Sequence, residues 1–303
     1  MLLPVGLNPG AYTPFTADNK LNANVLADEL RRVTKGASGL HGPAGHSEFA
    51  GLTFDEWRVW NDVLVDVAHS AKIKSWSFLG AESFEKTLPY AEYAVRSGTD
   101  GLFVIAPYFN LYSQEAAYQY FKDFAGAFSN TPIIFYPAHQ TGNHFTPSTI
   151  ARIAEIPNIV GMKQSLDHSF DDVTKTLLLT KDIPNFNIVS GGLNLLYPLF
   201  AGADIKCSCS PMSNFAHEWC LNLWKAYLEK DWPTLEKWNK KLTRIYSVLN
   251  IADSRHVGSR AGHKAAITKL LGRDIGLPRR PGLPTTDEHV ARIRKVWEEE
   301  GLI

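Results

Sequence analysis

Residues 159–165 read Ile-Val-Gly-Met-Lys-Gln-Ser, a short apolar run that follows the turn-forming pair Pro157-Asn158 and ends near a lysine, Lys163. A strand that is buried on both faces has a continuous apolar sequence, so this stretch predicts a strand of a parallel sheet. An ammonium group in such a place costs free energy unless it is paired or loses its proton, and a neutral amine attacks carbonyl carbons. The stretch alone therefore leaves two interpretations, an imine-forming lysine or a lysine whose ammonium group lies in solvent.

Strands and helices alternate on both sides of this stretch. Short apolar runs predict strands at residues 5–12, 39–44, 74–80, 100–107, 132–136, 159–163, 187–190 and 204–210. Apolar residues at helical spacing predict helices at residues 25–34, 54–71, 83–97, 113–128, 146–156, 169–181, 193–201 and 214–230. Because such alternation builds a parallel sheet and eight units close into a barrel, the sequence predicts an α/β fold, the TIM (β/α)8 barrel.

Two helix starts depend on individual residues. Asn24 is predicted to cap the first helix, and Thr53 and Glu56 are predicted to form a capping box at the second. Beyond the barrel, three amphipathic stretches predict further helices at residues 233–250, 259–271 and 287–299. We therefore expect a catalytic barrel in residues 1–230 and an α-helical C-terminal domain in residues 231–303.

Composition excludes some classes of function. Lys and Arg number 31, as do Asp and Glu, so the net charge of the 303-residue chain is zero. This balance gives no support to nucleic-acid or anionic-membrane binding, but it permits self-association. No apolar run approaches the roughly 18 residues of a membrane span, and a cytoplasmic enzyme is the expectation.

The chain contains three cysteines, which is not the pattern of a disulfide framework. Cys207 and Cys209 alternate with Ser208 on a predicted strand, so both side chains are expected on one face. Buried packing residues in a reducing compartment are the simpler interpretation of these thiols. No set of metal ligands stands at the required spacing, and neither a metal nor a cofactor is expected.

In this barrel fold the active site lies at the C-terminal ends of the strands. Lys163 ends the sixth predicted strand, which favours the catalytic interpretation. Tyr136 ends the fifth, so its phenol could lie near the amine; the alternative is a core tyrosine with a satisfied hydroxyl. The other residues at strand ends are His41, Gly45, His46, Ser47, Glu48, Tyr108, Gly191, Gly192 and Ser208.

Several short motifs, in order and spacing, resemble those of one family. Residues 134–136 (Ile-Phe-Tyr) with Thr141-Gly142 resemble its tyrosine motif, and residues 160–163 (Val-Gly-Met-Lys) resemble its Schiff-base lysine motif. Further similarity lies at residues 48–53, 107–118 and 264–302. The chain thus resembles the pyruvate-dependent class I aldolases, the superfamily of dihydrodipicolinate synthase and N-acetylneuraminate lyase, over nearly its whole length.

The resemblance implies a mechanism and a set of site residues. Lys163 would form an imine with the ketone of a 2-oxo acid, and Tyr136 would shuttle protons. Backbone N–H groups of the loop around Gly45 and His46 would hold the substrate carboxylate. The family also implies a homo-oligomer, a tetramer or a dimer. The expected substrate-binding residues are Gly45, His46, Ser47, His139, Gln140, Gly191 and Cys207.

The sequence departs from the synthase pattern at positions that bear on the substrate. Gly45 and His46 stand where the synthase has two consecutive threonines, and the first of those hydroxyls belongs to its proton relay. Ser47 replaces a glycine, and its hydroxyl is one candidate substitute. Phe109 aligns with the relay's second tyrosine, and Gln140 with the arginine that binds the aldehyde substrate's carboxylate. Losing a bidentate carboxylate clamp argues against a second anionic group there.

We therefore expect a retro-aldolase or dehydratase that acts on another 2-oxo acid and yields pyruvate, rather than a true dihydrodipicolinate synthase. His46 and His139 could supply the missing acid–base chemistry, or they could be loop histidines with structural hydrogen bonds. Two other hypotheses stay open at this point. One is an inactive barrel that binds a 2-oxo acid. The other is a metal-dependent aldolase or hydrolase that uses Glu48 and His46.

Overall fold

A computed structural model describes residues 2–138, 141–164, 169–192, 204–249 and 260–303. Its eight strands run parallel in one sheet, in the order β1-β8-β7-β6-β5-β4-β3-β2. The strands are β1 Gly6–Leu7, β2 Gly39–Gly42, β3 Lys74–Leu79, β4 Gly101–Ile105, β5 Ile133–Tyr136, β6 Ile159–Gln164, β7 Asn187–Ser190 and β8 Cys207–Ser208.

The sheet curves into a nearly closed barrel, and two backbone hydrogen bonds join its edges. The N–H of Ser38 donates to the carbonyl of Leu7 at 2.8 Å, and the N–H of His41 donates to the carbonyl of Pro9 at 3.0 Å. These bonds connect β1 and its following loop to β2. The predicted TIM barrel is confirmed.

Helices surround the strands and continue beyond them. They are α1 Ala23–Arg32, α2 Phe54–Ser70, α3 Phe84–Arg96, α4 Gln114–Ala127, α5 Pro147–Ala154, α6 Phe170–Thr180, α7 Ser213–Leu228, α8 Trp232–Ser247, α9 Ala261–Ala265 and α10 Asp287–Glu300. A π-helical turn, Ala266–Leu270, extends α9. None of the helices in these described ranges is both long and apolar enough to cross a membrane.

Apolar side chains pack on both faces of the sheet. Successive side chains of a strand point to opposite faces, so every second residue points into the barrel. The inner cluster is rich in aromatic and β-branched residues: Trp76, Phe78, Phe103, Ile105, Ile134, Val160 and Val189, with Cys207 and Cys209. The larger outer cluster lies between the strands and the helices. The shared face predicted for the two cysteines is the barrel interior.

Some predicted boundaries are wrong. Asn22, not Asn24, caps α1, because the Asn22 side chain accepts from the N–H of Val25 at 3.2 Å while Asn24 lies inside the helix. The first and last strands are shorter than predicted. In the described part of the helix predicted at residues 259–271, the structure has a five-residue α-helix followed by the π-helical turn. The helix predicted at residues 193–201 lies outside the described residues.

Candidate active site

Lys163 is the penultimate residue of β6, at the end of the barrel where the strands terminate. Its amine lies 4.5 Å from the centroid of the Tyr136 ring and 5.7 Å from that of the Phe103 ring. Both rings point into the barrel, because they alternate with outward-facing residues on β5 and β4. Among the described residues no carboxylate forms an ion pair with this amine, so aromatic faces are its immediate surroundings.

Tyr136 ends β5, the strand next to β6. Its ring packs against Phe78 and Phe103, with centroids 6.4 and 6.3 Å away. Its hydroxyl makes no hydrogen bond to any part of the chain that the structure describes. The structure therefore brings together the two side chains that the sequence singled out, and the phenol of Tyr136 is available to a bound molecule.

The loop after β2 forms a short 3-10 turn, Gly45–Ser47. The space around the Gly45 α-carbon is open, since a β-carbon there would meet no described atom within 4 Å. The N–H groups of Gly45 and His46 find no acceptor in the described residues. Successive unpaired N–H groups of this kind attract anions, so the turn has the donors that a carboxylate needs.

Ser47 lies in the same turn but is fully buried. Its hydroxyl donates to the carbonyl of Ala11 at 2.6 Å, and its own carbonyl accepts a hydrogen bond from the Thr13 hydroxyl. These bonds tie the turn to the segment that follows β1. The Ser47 hydroxyl is thus engaged in the structure of the loop.

His46 is buried between two other rings, with 7% of its surface exposed. The ring centroids of Tyr12 and His41 lie 5.6 and 5.4 Å from that of His46. Its Nε2 atom is buried and has no hydrogen-bond partner in the described part of the chain. Burial lowers the pKa of His46 well below its usual value, and the charges of His41 and Lys163 lower it further. The ring is therefore neutral near pH 7.

Gly191 follows β7 and lies beside the Lys163 side chain. Its N–H donates to the carbonyl of Gln164 at 3.1 Å. A β-carbon at this position would lie 3.2 Å from Cε of Lys163 and 2.4 Å from the Gln164 carbonyl oxygen. A glycine is therefore required where the chain passes the lysine side chain.

Cys207 lies inside the barrel, with 1% of its surface exposed. The side-chain amide of Asn8 donates to its sulfur at 3.3 Å. Burial raises the pKa of the Cys207 thiol, so the sulfur stays protonated and neutral. These contacts are those of a packing residue, while its predicted contact with substrate stays a prediction.

His139 and Gln140 lie outside the described residues. Phe109, which aligns with a relay tyrosine, is 89% exposed and has a left-handed backbone, with φ of 83°. Tyr108 beside it packs against Phe49, and burial raises its pKa to about 12. Neither side chain contacts Lys163 in the single chain.

The sequence analysis missed Phe103 and Tyr12. Phe103 provides the second ring at the Lys163 amine, and Tyr12 packs against His46. The alternating positions of β4 could have indicated Phe103 as inward-facing. Tyr12 had no such signal, because it lies in an irregular segment after β1. Within the described residues, no three His, Cys, Asp or Glu side chains are grouped to hold a metal ion.

The sequence model of the dihydrodipicolinate synthetase family matches residues 4–300 of the chain. The chain belongs to this family. It is accordingly an enzyme of the lyase type, with the aldolase-type barrel of the family. This family membership confirms the resemblance inferred from the motifs.

Relatives in the family carry two kinds of name. An uncharacterised DapA-like lyase from Halobacterium salinarum is 30% identical, and the alignment covers 99% of this chain and 96% of the relative. A 4-hydroxy-tetrahydrodipicolinate synthase from Archaeoglobus fulgidus is 26% identical over 98% of this chain and 99% of the relative.

Solved structures show the same fold. The dihydrodipicolinate synthase of Thermotoga maritima superimposes with a TM-score of 0.88 at 26% identity, and all of each chain is covered. YagE, a prophage protein of the family from E. coli K12 solved in complex with pyruvate, superimposes with a TM-score of 0.87 over all of each chain. YagE is 24% identical, and at that level the likeness shows the fold alone.

Proposed function

We propose that this enzyme is a Schiff-base-forming lyase, an aldolase or dehydratase, that acts on a 2-oxo acid. One observation carries the proposal: the Lys163 amine stands at the mouth of the barrel, 4.5 Å from the centroid of the Tyr136 ring, with no described carboxylate paired to it. An amine held among aromatic faces and free of a carboxylate is suited to attack a ketone.

The reaction would begin at the ketone carbon of the substrate. The Lys163 nitrogen adds to this carbon, the carbinolamine loses water, and a protonated imine remains. The imine draws electrons from the bond beta to nitrogen. In an aldolase a C–C bond breaks and an aldehyde leaves; in a dehydratase a proton leaves from C3 and the C4 hydroxyl departs as water. Either path passes through an enamine. In the aldolase C3 of the enamine then takes up a proton, and in the dehydratase departure of the C4 hydroxyl leaves a conjugated imine. Water finally hydrolyses the imine and restores the amine.

Tyr136 is the proposed proton carrier. Its phenol belongs to the ring nearest the amine, and its hydroxyl is not engaged by any described residue. It would protonate the departing carbinolamine hydroxyl and take the proton of the substrate hydroxyl during cleavage. The unpaired N–H groups of Gly45 and His46 would hold the carboxylate.

We further propose pyruvate-yielding cleavage rather than the condensation catalysed by dihydrodipicolinate synthase. Gly45 has no hydroxyl where the synthase has its relay threonine, and the Ser47 hydroxyl is occupied by Ala11. Phe109 also lacks a hydroxyl. The neutral, buried His46 is a candidate for the acid–base work, which is a role that a relay threonine would otherwise fill.

Reductive trapping tests the imine. The protein is incubated with pyruvate and borohydride, digested, and analysed by mass spectrometry. We expect the reduced adduct on Lys163, and no adduct in Lys163→Met. Lys175→Met, which alters an exposed lysine of α6, is the matched control. An unmodified Lys163 in protein that is active on a substrate would refute the mechanism.

A substrate panel tests the direction. Parent enzyme is assayed on 2-oxo-4-hydroxy acids, with lactate dehydrogenase reporting pyruvate release. We expect turnover of at least one such acid and none in Lys163→Met. Adduct formation without turnover would instead indicate an inactive binding barrel. Condensation of pyruvate with aspartate semialdehyde at a comparable rate would show a true synthase.

Gly45 offers a direct test of the relay. Because the site around its α-carbon is open, Gly45→Ala and Gly45→Thr are both expected to fold. The two variants differ by a hydroxyl and a methyl group. We expect them to have equal kcat, since the proposed reaction does not use this hydroxyl. A higher kcat for Gly45→Thr than for Gly45→Ala would show that the reaction does use a hydroxyl at this position, as the synthase relay does.

We also propose a homo-oligomer, a dimer or tetramer. The zero net charge permits association, and Phe109 and Leu111 are exposed on the loop after β4. Light scattering after gel filtration measures the mass in solution. A monomer at micromolar concentration would contradict this proposal.

A further inference from the structure

Glu48 lies at the end of the turn that carries the unpaired N–H groups of Gly45 and His46. It has left-handed backbone angles, φ 58° and ψ 35°, and it separates the turn Gly45–Ser47 from a second turn, Phe49–Gly51. A residue other than glycine persists in this conformation only where surrounding contacts hold it. The contacts of Glu48 therefore fix the position of the turn.

The carboxylate of Glu48 is bound by the C-terminal part of the chain. Its Oε1 atom lies 2.8 Å from Nζ of Lys264 on α9, and its Oε2 atom accepts the backbone N–H of Arg279 at 2.8 Å. The two charged side chains are 9% and 1% exposed. This is a buried ion pair between an active-site loop and an element far away in the sequence.

Lys264 and Arg279 make further contacts that restrict this junction. Lys264 also donates to the carbonyl of Leu277 at 3.0 Å, and its amine lies 4.2 Å from the centroid of the Phe15 ring. The Arg279 guanidinium lies 4.1 Å from the same ring and donates to the carbonyl of Gly51 at 2.8 Å. The C-terminal segment thus holds the double turn at both Glu48 and Gly51.

Stability alone does not account for an ion pair at this place. Removing two charges from water is costly, and well-packed apolar residues of similar volume often serve as well or better. What the pair adds is direction, because its partners lie at different oxygens of the carboxylate. The N–H of Arg279 donates a hydrogen bond to Oε2, whereas the Lys264 amine forms an ion pair with Oε1 without an aligned hydrogen bond. The pair fixes the orientation of Glu48, and Glu48 directly follows the turn.

We propose that the Glu48–Lys264 ion pair positions the turn Gly45–Ser47 so that its free N–H groups meet the substrate carboxylate, and thereby sets the affinity for substrate. The inference rests on the proposed Schiff-base function. Glu48 and Lys264 are positioning residues and touch no reacting atom. The C-terminal helices consequently contribute to substrate binding at the mouth of the barrel.

The test compares the affinity for pyruvate with the capacity of the lysine to react. Lys264→Met, Glu48→Gln and the double variant Glu48→Met/Lys264→Met are titrated with pyruvate under borohydride trapping. We expect the half-saturating concentration to rise about 10- to 100-fold, the scale of a displacement of about 1 Å in a site. At saturating pyruvate the adduct should still form on Lys163. A structural defect alone would instead lower the fraction of protein that can be modified.

Controls separate this inference from folding and from the proposed function. Lys269→Met removes an exposed ion pair with Asp287 in the same part of the chain and should titrate like the parent. The double variant leaves no unpaired charge, so it should fold even where a single variant does not. Parent-like half-saturation in the folded double variant would overturn the inference. Absence of any adduct in the unaltered protein would instead overturn the proposed function.

Discussion

Gly191 leaves no room for a side chain beside Lys163. In Gly191→Ala the new β-carbon would collide with the Gln164 carbonyl and press on Cε of the lysine. We expect overpacking to cost about 1–3 kcal/mol of unfolding free energy. We expect imine formation to slow by about 100-fold, because the amine is displaced. Single-turnover trapping measures the rate, and chemical denaturation measures the stability.

The matched control is Gly126→Ala, on the exposed surface of α4, where no described atom outside the local helix backbone lies within 4 Å of the new β-carbon. It should change stability by no more than about 1 kcal/mol and leave trapping unchanged. Trapping by Gly191→Ala at the parent rate would show that the lysine does not need its present position.

Two buried histidines make the fold sensitive to acid. Burial lowers the pKa of His46 and of His263 well below about 6.5, and nearby charges, Lys163 at one and Arg260 at the other, add to the effect. As the pH falls below about 6.5, both histidines take up a proton in the unfolded chain. In the folded chain they stay neutral. As the pH is lowered through about 6.5, the free energy of unfolding should decrease, with a slope that approaches about 1.4 kcal/mol per pH unit for each histidine.

Urea denaturation between pH 7.5 and 5.5 checks this slope. His263→Gln should lose about half of the histidine contribution, since the histidine is removed from the folded and unfolded states alike. Gly126→Ala, which changes no ionisable group, should keep the parent slope. A parent protein whose stability is constant or rises toward pH 5.5 would contradict the prediction.

At the residue scale, the sequence indicated that Lys163 and Tyr136 lie close together, but it did not indicate which other side chains surround them. Lys163 and Tyr136 could be chosen because each ends a buried strand, and the barrel then brings such ends together. The alternation of β4 indicates that Phe103 faces inward, but not that its ring lies near the Lys163 amine, and no local pattern indicates the burial of His46. Both depend on which side chains from other strands fill the barrel, and that is decided by packing across the whole interior.

The capping box at α2 is the element feature that the sequence predicted most fully. The Thr53 hydroxyl accepts from the N–H of Glu56 at 3.2 Å, and the Glu56 carboxylate accepts from the N–H of Thr53 at 3.0 Å. Thr53→Ala removes one half of this exchange. We expect it to cost about 1 kcal/mol of unfolding free energy, measured by denaturation, whereas Thr53→Ser should be nearly neutral. Equal stability of the two variants would show that the cap contributes nothing.

The first residue of a helix was predictable only where a single residue could serve as its N-cap. At α2 a threonine and a glutamate stand at capping-box spacing, and no other residue competes. At α1, Asn22 and Asn24 are both good caps, and the choice falls to Asn22 because its side chain reaches the N–H of Val25. The bounds of the short helix α9 could not be predicted from the sequence, because its side chains pack against the barrel. Lys264 pairs with Glu48, and Nδ1 of His263 is hydrogen-bonded to the Tyr12 hydroxyl.

At the scale of the whole molecule, the alternation of strand and helix sufficed to predict the barrel, because few topologies bury all eight strands. The contacts between the early loops of the barrel and the C-terminal residues were not predictable from the sequence. Glu48, read as a possible metal ligand, is bound by Lys264 instead. An ion pair between residues so distant in sequence follows from tertiary packing and has no local signature.

A second buried ion pair predicts how the molecule unfolds. Arg273, in the segment after the π-helical turn, pairs with the buried Glu29 of α1 and donates to the carbonyl of Asn214 on α7. Together with the Glu48–Lys264 pair, these contacts connect the C-terminal residues to the early part of the barrel sequence, at α1 and the loop after β2, and to its last helix, α7. Residues 231–303 are therefore not expected to unfold independently. Calorimetry should show one transition, whose van't Hoff and calorimetric enthalpies agree.

Substitution at Arg273 tests this coupling. Arg273→Met leaves the buried Glu29 carboxylate with one ion-pair partner, the half-exposed Arg32 at 3.3 Å. The cost should therefore lie below that of a fully unpaired buried charge, about 3–5 kcal/mol, while Glu29→Met/Arg273→Met should recover most of that loss. Because the pair joins the two parts of the chain, the single variant should lower the whole transition without splitting it. Two separate transitions in the parent would show instead that the barrel and the C-terminal helices are independent folding units. In that case the ion pairs would serve only to align them.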